Sequence, residues 1–536
     1  MNVTQAYSVR LYNKCLVTVC GSALPILRPT ALRCCVCRRL RSTTTGVLPS
    51  DDFTTVQLQS PKPFEDIPGP RGLPYLGSLL DHRIGRFKNT DKYQDSLIWL
   101  HDKYGKIAKK TLAGQTTVHI FDPDYFRTVY QHEGRTPYIP PLLESVQLYR
   151  QKRDMSPGLG FTNGEEWYRL RTAVQKMMMR PQEVYAYLPF TNQVASEFVD
   201  RIEKLRNEDG EVENFETEMA KWSLESAAMN CFETRLGYLD NSASEEANKM
   251  TNANTVLFEK STKMKFSLPL HKLVSTPTWK TILDSEDFFA GTGCRLVEET
   301  AKKIQTLVDE GKMTENKYMF LAYLLSREEL SFKDVTTITL SLFGDGLSTT
   351  VPAALFNLYC VAAHPDVQQT LVEEIRAVVP QKGEITAEMI QKMPYLKAFV
   401  KETFRFYPIG LDVSRRVQKD MVVGGYHIPA GTHLEMNNFV LFKKPEYFHE
   451  PETFLPERWL RGGSAHNIHP FLLTPFSHGP RMCAGRRFAE QDLYVLLTKV
   501  LQRFQVEWHH KEMGQRYRVL MVPDCPARFS FRERRT

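Results

Sequence analysis

One cysteine near the C-terminus lies in a spacing that suits iron chemistry. Residues 476–485 read Phe-Ser-His-Gly-Pro-Arg-Met-Cys-Ala-Gly, which fits the pattern F-x-x-G-x-R-x-C-x-G around Cys483. A thiolate bound axially to heme iron pushes electron density onto the metal and favours cleavage of an O–O bond. By residue type alone Cys483 would be a small, buried hydrophobic side chain, but five fixed positions in ten residues indicate an iron ligand.

The neighbours of Cys483 suit the approach of a flat macrocycle. Gly479 and Gly485 are expected to let the backbone turn tightly and lie close to the ring, because glycine accepts a positive φ and has no side chain. Arg481 offers a permanently charged, planar guanidinium to a heme propionate. With Phe476, this loop resembles the heme-binding loop of the cytochrome P-450 family, which implies heme b with Cys483 as the axial ligand.

Two further positions match propionate-binding residues of that family. Trp167 and Arg171 are four residues apart on one face of a predicted helix, where both can reach one carboxylate ligand. A Trp/Arg pair at this spacing is also typical of a cation–π contact at a surface. The resemblance implies that this pair binds one propionate and that Arg415 binds at the same cofactor, with Arg416 as the alternative.

Three charged residues match a structural network of the family. Glu402 and Arg405 are three residues apart, and Arg458 follows in Pro-Glu-Arg-Trp at 456–459. By spacing alone the pair on the helix would be a solvated salt bridge worth about 0.2–0.5 kcal/mol. The resemblance implies instead a buried network whose members satisfy one another. We expect these residues to support the heme-binding face and not to act as catalysts.

The side opposite the thiolate departs from the family pattern, Ala/Gly-Gly-x-Asp/Glu-Thr-Thr. Gly346 and Thr349 are in place, but Ser348 stands where the acid is expected. Gly346 would open space beside iron, and the Thr349 hydroxyl can interrupt the helix and hydrogen-bond dioxygen. Ser348 cannot be an anionic proton reservoir. Asp345, one turn before Thr349, is the candidate replacement, although it could instead face solvent or cap a kink.

Other segments resemble the animal mitochondrial branch of the family. Arg486 and Arg487 continue the loop as that branch does, and residues 268–279 and 393–401 are also similar. The branch takes electrons from a small acidic, adrenodoxin-like [2Fe-2S] ferredoxin, and a compact positive patch speeds and orients such an encounter. The candidate patch consists of Lys397, Lys401, Arg486 and Arg487. An ordinary solvated charged face is the alternative.

The hydrophobic pattern predicts a mainly α fold with small β-sheets. Residues 165–375 have helical periodicity, and strand-like alternation is scarce there. Alternating segments predict one small sheet from the start and middle of the chain and a last one from its tail. These segments are 109–120, those around Val422 and Leu434, and 504–508, 517–522 and 528–531. The resemblance implies one cytochrome P-450-type domain, residues 46–536, enclosing a buried heme.

The charge distribution argues against nucleic-acid binding. The 536 residues carry a net charge of +7, and residues 1–50 contain seven Arg or Lys and no Asp or Glu. That segment alone accounts for the whole net charge, so the body is neutral overall. After about Ile67 no repeat, low-complexity tract or long linker divides the chain, which favours one domain over the three or four that the length suggests.

Residues 1–45 have the composition of a mitochondrial transit peptide. They are rich in Arg, lack acidic residues and end in Ser and Thr. The apolar run 15–27 is shorter than the ~20 residues that span a bilayer and contains Pro25. Most arginines follow this run, whereas a signal peptide has its charges before it. We expect cleavage near residues 40–50.

Cysteine usage indicates a reducing compartment. Five of the ten cysteines lie in the leader, and the other five are scattered, which does not make a disulfide framework. The Cys-Cys-Val-Cys run at 34–37 has no second cluster at a spacing that would suggest a metal site.

These features predict a heme-thiolate monooxygenase, an oxidoreductase of the mitochondrial matrix in peripheral contact with the inner membrane. It would hydroxylate a hydrophobic, sterol- or steroid-like substrate with electrons from the ferredoxin. Apolar residues from Phe266 to Leu273 could touch the membrane or be buried in the core. The alternatives are a xenobiotic-oxidising monooxygenase, a heme-thiolate isomerase or dehydratase that needs no external electrons, and a non-enzymatic heme- or lipid-binding protein.

Overall fold

The computed structural model of the protein describes residues 60–240, 244–314, 318–381 and 383–534. The predicted transit peptide, residues 1–45, and the region expected to be cleaved lie outside these residues.

Helices dominate the described part of the chain, so the predicted mainly α fold class with small sheets is confirmed. The α-helices are α1 (Leu79–Arg83), α2 (Tyr93–Tyr104), α3 (Pro123–His132), α4 (Glu144–Lys152), α5 (Gly164–Met179), α6 (Pro181–Tyr185), α7 (Leu188–Leu205), α8 (Phe215–Phe232), α9 (Ser244–Lys265), α10 (Pro277–Asp309), α11 (Met319–Leu325), α12 (Phe332–Ser348), α13 (Thr350–Ala363), α14 (Pro365–Val378), α15 (Ala387–Gln391), α16 (Pro394–Phe406) and α17 (Arg486–Arg503). The strands are β1 (Ile107–Leu112), β2 (Gln115–Ile120), β3 (Val413–Arg416), β4 (Met421–Val423), β5 (Tyr426–Ile428), β6 (His433–Met436), β7 (Phe504–Trp508), β8 (Gln515–Arg518), β9 (Leu520–Pro523) and β10 (Phe529–Glu533).

The largest sheet has the strand order β1-β2-β6-β3. The β1 and β3 strands at its edges are antiparallel to their neighbours, whereas β2 and β6 are parallel. The register pairs Lys110 with Thr117, and Glu435 with both His119 and Ser414. Because side chains alternate along a strand, these five residues lie on one face. The opposite face packs apolar residues into the core, namely Val118, Ile120, Leu434 and Met436.

Three two-stranded sheets complete the β structure that is described: β4 with β5, β7 with β10, and β8 with β9. Val422 therefore lies in a hairpin of its own and not in a sheet with Leu434. The single tail sheet that was predicted is also wrong, because the tail forms two sheets. In the β8–β9 hairpin Arg518 pairs with Asp91 near the start of the described chain, whereas β10 returns to pair with β7.

The apolar stretch 332–363 is divided into two helices by its own sequence. Ser331 caps α12 in a capping box. Pro352 has no N–H to donate to the Ser348 carbonyl, and in a continuous helix its ring would clash with that carbonyl. The helix accordingly breaks at Thr349, whose φ is −124° and ψ −60°, and α13 starts at the next residue.

The same stretch is long and apolar enough to cross a membrane by length and composition. However, 72% of its apolar window is buried inside the protein, which is typical of a core helix. It packs in the main hydrophobic cluster together with α7, α8 and α17.

Candidate active site

A cavity of about 1200 Å³ lies between the helices and the largest sheet. Its wall contains Cys483 and the loop around it, the break between α12 and α13, and residues of the sheet. Pockets for a single small molecule are roughly 300–1,000 Å³. The cavity therefore has room for a macrocycle and a second molecule beside it.

Cys483 faces this cavity from the loop that precedes α17. The Cys483 side chain is surrounded by protein, and its accessible surface faces the cavity and not the external solvent. Burial raises the pKa of the thiol, while the Gly485 and Arg486 N–H groups and the Arg171 guanidinium lower it. The N-terminal end of α17 adds a positive potential. These groups would stabilise a thiolate once a metal ion replaces the proton.

The two glycines of the loop are required for different reasons. Gly479 has a φ of +73°, so the expected left-handed turn is present. Gly485 has a φ of −81°, and the expectation that it needs a positive φ is wrong. A Cβ built on Gly485 would lie 4.0 Å from Cys483 Sγ, so the missing side chain keeps space open beside the sulfur. Ser477 also has a positive φ, +62°, which the sequence did not indicate.

Three guanidinium groups converge beside the cysteine. Arg171 donates to the Met482 carbonyl at 2.8 Å, and Arg415 pairs with Glu133 at 2.6 Å. Burial, followed by repulsion from Arg415 and Arg171, lowers the pKa of Arg481 to about 9. Glu133 is 282 residues from Arg415, and sequence reasoning missed it.

This arginine cluster is incomplete without anions. Arg481 Nη1 is buried and has no hydrogen-bond partner among the described residues. Three guanidinium groups face one carboxylate, that of Glu133, which leaves an excess of two positive charges. Buried charges need partners, and the two propionates of heme b would supply them. The residues present therefore fit a heme whose propionates meet this cluster and whose iron meets Cys483.

Trp167 lies beneath Arg481 and is only 3% exposed. The Arg481 guanidinium carbon is 3.9 Å from the centroid of the Trp167 ring. The surface cation–π pair with Arg171 that the spacing allowed is therefore not formed. Arg416, the alternative to Arg415, is exposed, whereas Arg415 is buried in the cluster.

Glu402 and its partners form the buried network that the resemblance implies. Arg405 binds both carboxylate oxygens of Glu402, at 2.7 and 3.0 Å, and Arg458 binds one of them at 3.0 Å. All three side chains are at most 1% exposed. Trp459 Nε1 donates to the same carboxylate at 2.8 Å. The solvated salt bridge is therefore the wrong interpretation of this pair.

Across the cavity, the break after α12 presents hydroxyl groups. Thr349 Oγ1 donates to the Asp345 carbonyl at 2.8 Å, and Ser348 Oγ donates to the same carbonyl at 3.2 Å. The Thr349 side chain is exposed to the cavity. Gly346 also lines the cavity, where a Cβ would lie 2.8 Å from Ser223 Oγ. The threonine, the serine and the glycine are thus brought together as expected.

The Asp345 side chain points into the cavity and not to external solvent. Burial raises the pKa of its carboxyl to about 6, and the Arg150 guanidinium opposes this. Its negative charge also acts on Cys483 from across the cavity. Arg150 donates to Ser341 at 3.2 Å, and burial raises the pKa of nearby Glu286 to about 7. No sequence signal marked Arg150 or Glu286.

The candidate ferredoxin patch lies on the surface that covers the cysteine loop. Arg486 is three residues from Cys483, and its charge acts on Lys401. Lys401 lies over the Trp459 ring at 4.1 Å. Glu490 pairs with Arg486 at 2.9 Å and with Arg487 at 3.5 Å, and it also attracts Lys397. Three of the four cations are therefore grouped around Glu490, and Lys401 lies near one of them, Arg486.

Four apolar side chains between 268 and 274 are exposed. Leu268 and Leu270 are 41% and 52% exposed, and Leu273 and Val274 are 83% and 61% exposed. Phe266, in contrast, is buried at 1%. Core burial therefore explains only the beginning of this apolar segment, and a contiguous exposed apolar surface is typical of an interaction site.

Comparisons with known proteins show which family the chain resembles over most of its length. A sequence model described as Cytochrome P450 matches residues 67–530. "Probable cytochrome P450 CYP44" of Caenorhabditis elegans is 40% identical over 484 residues, which cover 88% of this chain and 94% of that protein. "1,25-dihydroxyvitamin D(3) 24-hydroxylase, mitochondrial" of Mus musculus is 32% identical, and the match covers 82% of this chain and 83% of that protein.

"Probable cytochrome P450 301a1, mitochondrial" of Drosophila melanogaster is 30% identical, with 89% and 88% covered. The fold, the enclosed thiol and the arginine cluster define a heme-thiolate oxidoreductase. The chain belongs to the cytochrome P450 family, whose members bind heme through a cysteine thiolate, accept electrons from redox partners and act as monooxygenases on hydrophobic substrates.

Proposed function

We propose that this protein is a mitochondrial monooxygenase that hydroxylates a hydrophobic, sterol- or steroid-like molecule with electrons from an adrenodoxin-like ferredoxin. The observation that carries the proposal is the cavity of about 1200 Å³ with Cys483 on one side and Thr349 on the other. Heme held at Cys483 would supply the redox-active iron at which O2 is activated. Substrate would occupy the remaining volume next to Thr349.

The protein holds the cofactor through charge and shape. Arg171, Arg415 and Arg481 would bind the propionates, and Trp167 would position Arg481 from below. Phe476 and Gly485 line the cavity beside the sulfur, and Gly479 allows the turn behind it. The network around Glu402 keeps the face of α16 rigid beneath this loop.

The break between α12 and α13 would supply the protons for the reaction. The Thr349 hydroxyl would position a proton donor beside bound oxygen, and it already donates to the Asp345 carbonyl. Ser348 stands where the family pattern has an acid. The Asp345 carboxyl, which lies in the same cavity, would replace that acid. Ser348 would assist by binding water.

Electron supply and location follow from the outer surface. The patch of Lys397, Lys401, Arg486 and Arg487 would receive an acidic ferredoxin close to the thiolate. The exposed leucines at 268, 270 and 273 would contact the inner membrane on its matrix side, from which an apolar substrate can enter. Residues 1–45 would be the transit peptide, and residues 46–536 the enzyme.

The steroid-like substrate class is supported by the vitamin D hydroxylase among the relatives. The test is reconstitution of the mature chain with a ferredoxin and its reductase against a panel of sterols and steroids, with product masses measured. We expect a product with one additional oxygen atom from at least one member of the panel. Oxidation of xenobiotics alone would favour the second monooxygenase interpretation, and no oxygenated product from any compound would overturn the substrate class.

A further inference from the structure

One wall of the cavity is unusually polar for an enzyme that binds hydrophobic molecules. The inner face of the largest sheet presents Lys110, His119, Glu435 and Ser414 to the cavity, as the strand register requires. Lys265, the last residue of α9, reaches the same space. We call this set, together with Asp412, the polar wall.

Lys265 is a charged group with too few partners. Its ammonium donates to the Tyr517 hydroxyl at 2.8 Å and lies 4.6 Å from the centroid of the Tyr93 ring. Although burial lowers the pKa of Lys265, the surrounding phenols and the carboxylates of Glu435 and Asp412 raise it well above its usual value. No carboxylate lies within 4.0 Å of its nitrogen among the described residues, so further N–H groups can donate into the cavity.

Glu435 is the matching acceptor. One of its oxygens lies 3.1 Å from His119 Nδ1 in an ion-pair contact, and within the described ranges no other donor reaches that oxygen. Although burial raises the pKa of Glu435, His119, Lys265 and Lys110 hold it well below its usual value. The carboxylate and the Lys265 ammonium attract each other but form no direct ion pair among the described residues, so each keeps capacity for a further polar partner.

The polar wall lies in a different part of the cavity from the thiolate. Cys483 lies in the loop that precedes α17, whereas the polar wall lies on the largest sheet and at the end of α9. Because these elements form different sides of one cavity, a molecule beside Cys483 would need length to reach Lys265.

We propose that the substrate carries a hydroxyl group at the end remote from the carbon that is oxidised, and that Lys265 donates to this hydroxyl while Glu435 accepts from it. This inference rests on the proposed function. A hydroxyl both donates and accepts, and it adds no charge to a wall that already contains two ammonium groups and the carboxylates of Glu435 and Asp412. A carboxylate would instead lie next to Glu435 and Asp412 and repel them.

The test uses matched probes on the heme-loaded mature chain, with dissociation constants from spectral titration. One pair is cholesterol and the hydrocarbon that lacks its hydroxyl. A second series is a long-chain alcohol, the matching alkane and the matching fatty acid. We expect the alcohol of a scaffold to bind roughly ten- to hundredfold more tightly than the deoxy analogue, since hydrogen bonds to charged groups are strong.

We call the binding of a substrate hydroxyl by Lys265 and Glu435 the anchor. Two substitutions distinguish it from general effects on substrate binding. Lys265→Met and Glu435→Gln should each remove most of the preference for the alcohol while leaving the affinity for the hydrocarbon unchanged. Lys263→Met is the control, because Lys263 is exposed on the same helix and should keep the preference. Glu435→Gln retains polar character and gives a second measurement if Lys265→Met folds poorly.

The outcomes are distinguishable. Equal binding of alcohol and hydrocarbon by the unaltered protein, or a preference that survives both substitutions, overturns the anchor. Tighter binding of the fatty acid than of the alcohol overturns the hydroxyl assignment in favour of an anion. A preference in the aliphatic series without any binding of the sterol pair supports the anchor but contradicts the sterol-like substrate. Binding of no probe contradicts both.

Discussion

Thr349 lies where α12 ends, with its hydroxyl bonded to the Asp345 carbonyl and its side chain open to the cavity. If this hydroxyl positions the proton donor, Thr349→Ala should raise the peroxide released per NADPH consumed by about tenfold or more, because positioned acids contribute roughly 10²–10⁴-fold to rate. Substrate affinity should stay the same. Peroxide yield and NADPH consumption, measured together, check the prediction.

Thr349→Ser provides the matched control. Serine keeps the hydroxyl and removes only a methyl group, so its coupling should remain close to that of the unaltered protein. Unchanged coupling in Thr349→Ala would remove Thr349 from proton delivery.

Asp345 gives the proton supply a pH dependence. Burial raises the pKa of its carboxyl from 3.8 to about 6, so the group is a proton donor below pH 6 and is depleted above it. Peroxide leakage should therefore rise as the pH increases through 6. Asp345→Asn should leak more at every pH and lose this step, as measured by peroxide yield from about half a pH unit below the carboxyl pKa to roughly two units above it.

Ser348→Ala distinguishes the two candidate donors. If Asp345 supplies the proton, Ser348→Ala should release modestly more peroxide, and its peroxide yield should still rise as the pH increases through about 6. A step that disappears in Ser348→Ala and persists in Asp345→Asn would assign the proton to water at Ser348.

At the scale of elements, α16 is fixed to the residues after it by a carboxylate buried among two guanidinium groups. Glu402→Gln removes the only negative charge that pairs with Arg405 and Arg458 in this network. Breaking a buried ion pair costs roughly 3–5 kcal/mol, so we expect the free energy of unfolding to fall by about that amount. Chemical denaturation measures it, and the heme content of the purified protein should fall as well.

The exposed pair of Glu388 and Lys392 at the end of α15 is the control. These side chains are four residues apart, one more than Glu402 and Arg405, and are likewise in contact at 2.7 Å, but both are solvated. Glu388→Gln should leave stability unchanged within error, because exposed pairs contribute little. Equal losses in both variants would contradict a special role for the buried network.

The helix break shows what could be predicted from sequence. Thr349 was expected to interrupt the ladder because of its hydroxyl, and the break is there. The stronger cause is Pro352, which cannot donate to the Ser348 carbonyl. That signal was present in the sequence three residues after Thr349. Local rules of this kind also account for the cysteine loop and for most helices.

Contacts between distant residues could not be predicted where no family motif marked them. Glu133 meets Arg415 across 282 residues, and Lys265 meets Tyr517 across 252. Neither pair produces a periodic pattern or a recognisable spacing in the sequence, because tertiary packing alone determines these contacts. The two tail sheets were missed for the same reason, since β7 pairs with the last strand and not with its nearer neighbour.

At the level of the whole molecule, the proposed function has electrons and substrate arriving at different parts of the surface. The basic patch lies outside the cysteine loop, whereas the cavity opens between helices and sheet. Charge reversal by Lys397→Glu with Lys401→Glu should lower ferredoxin-driven turnover at low salt by roughly tenfold or more, and the difference should shrink at high salt. Turnover rates across a salt series check this.

Two controls test whether Lys397 and Lys401 act by receiving the ferredoxin. Peroxide-driven turnover should be unaffected by the two charge reversals, since it needs no ferredoxin. Lys302→Glu with Lys303→Glu, on the exposed face of α10, should leave ferredoxin-driven turnover nearly unchanged. An equal loss in peroxide-driven turnover would show that the lysines support the fold and do not receive the ferredoxin.

If the proposed function holds, one oxygen atom of O2 reaches a substrate held between Cys483 and Thr349, with electrons delivered by a ferredoxin. Turnover with isotopically labelled O2, ferredoxin, its reductase and NADPH, followed by measurement of the product mass, tests this. We expect one labelled oxygen atom per product and no product when the ferredoxin is omitted. An unlabelled product, or a rearranged product formed without NADPH, would contradict it and favour the isomerase or dehydratase interpretation.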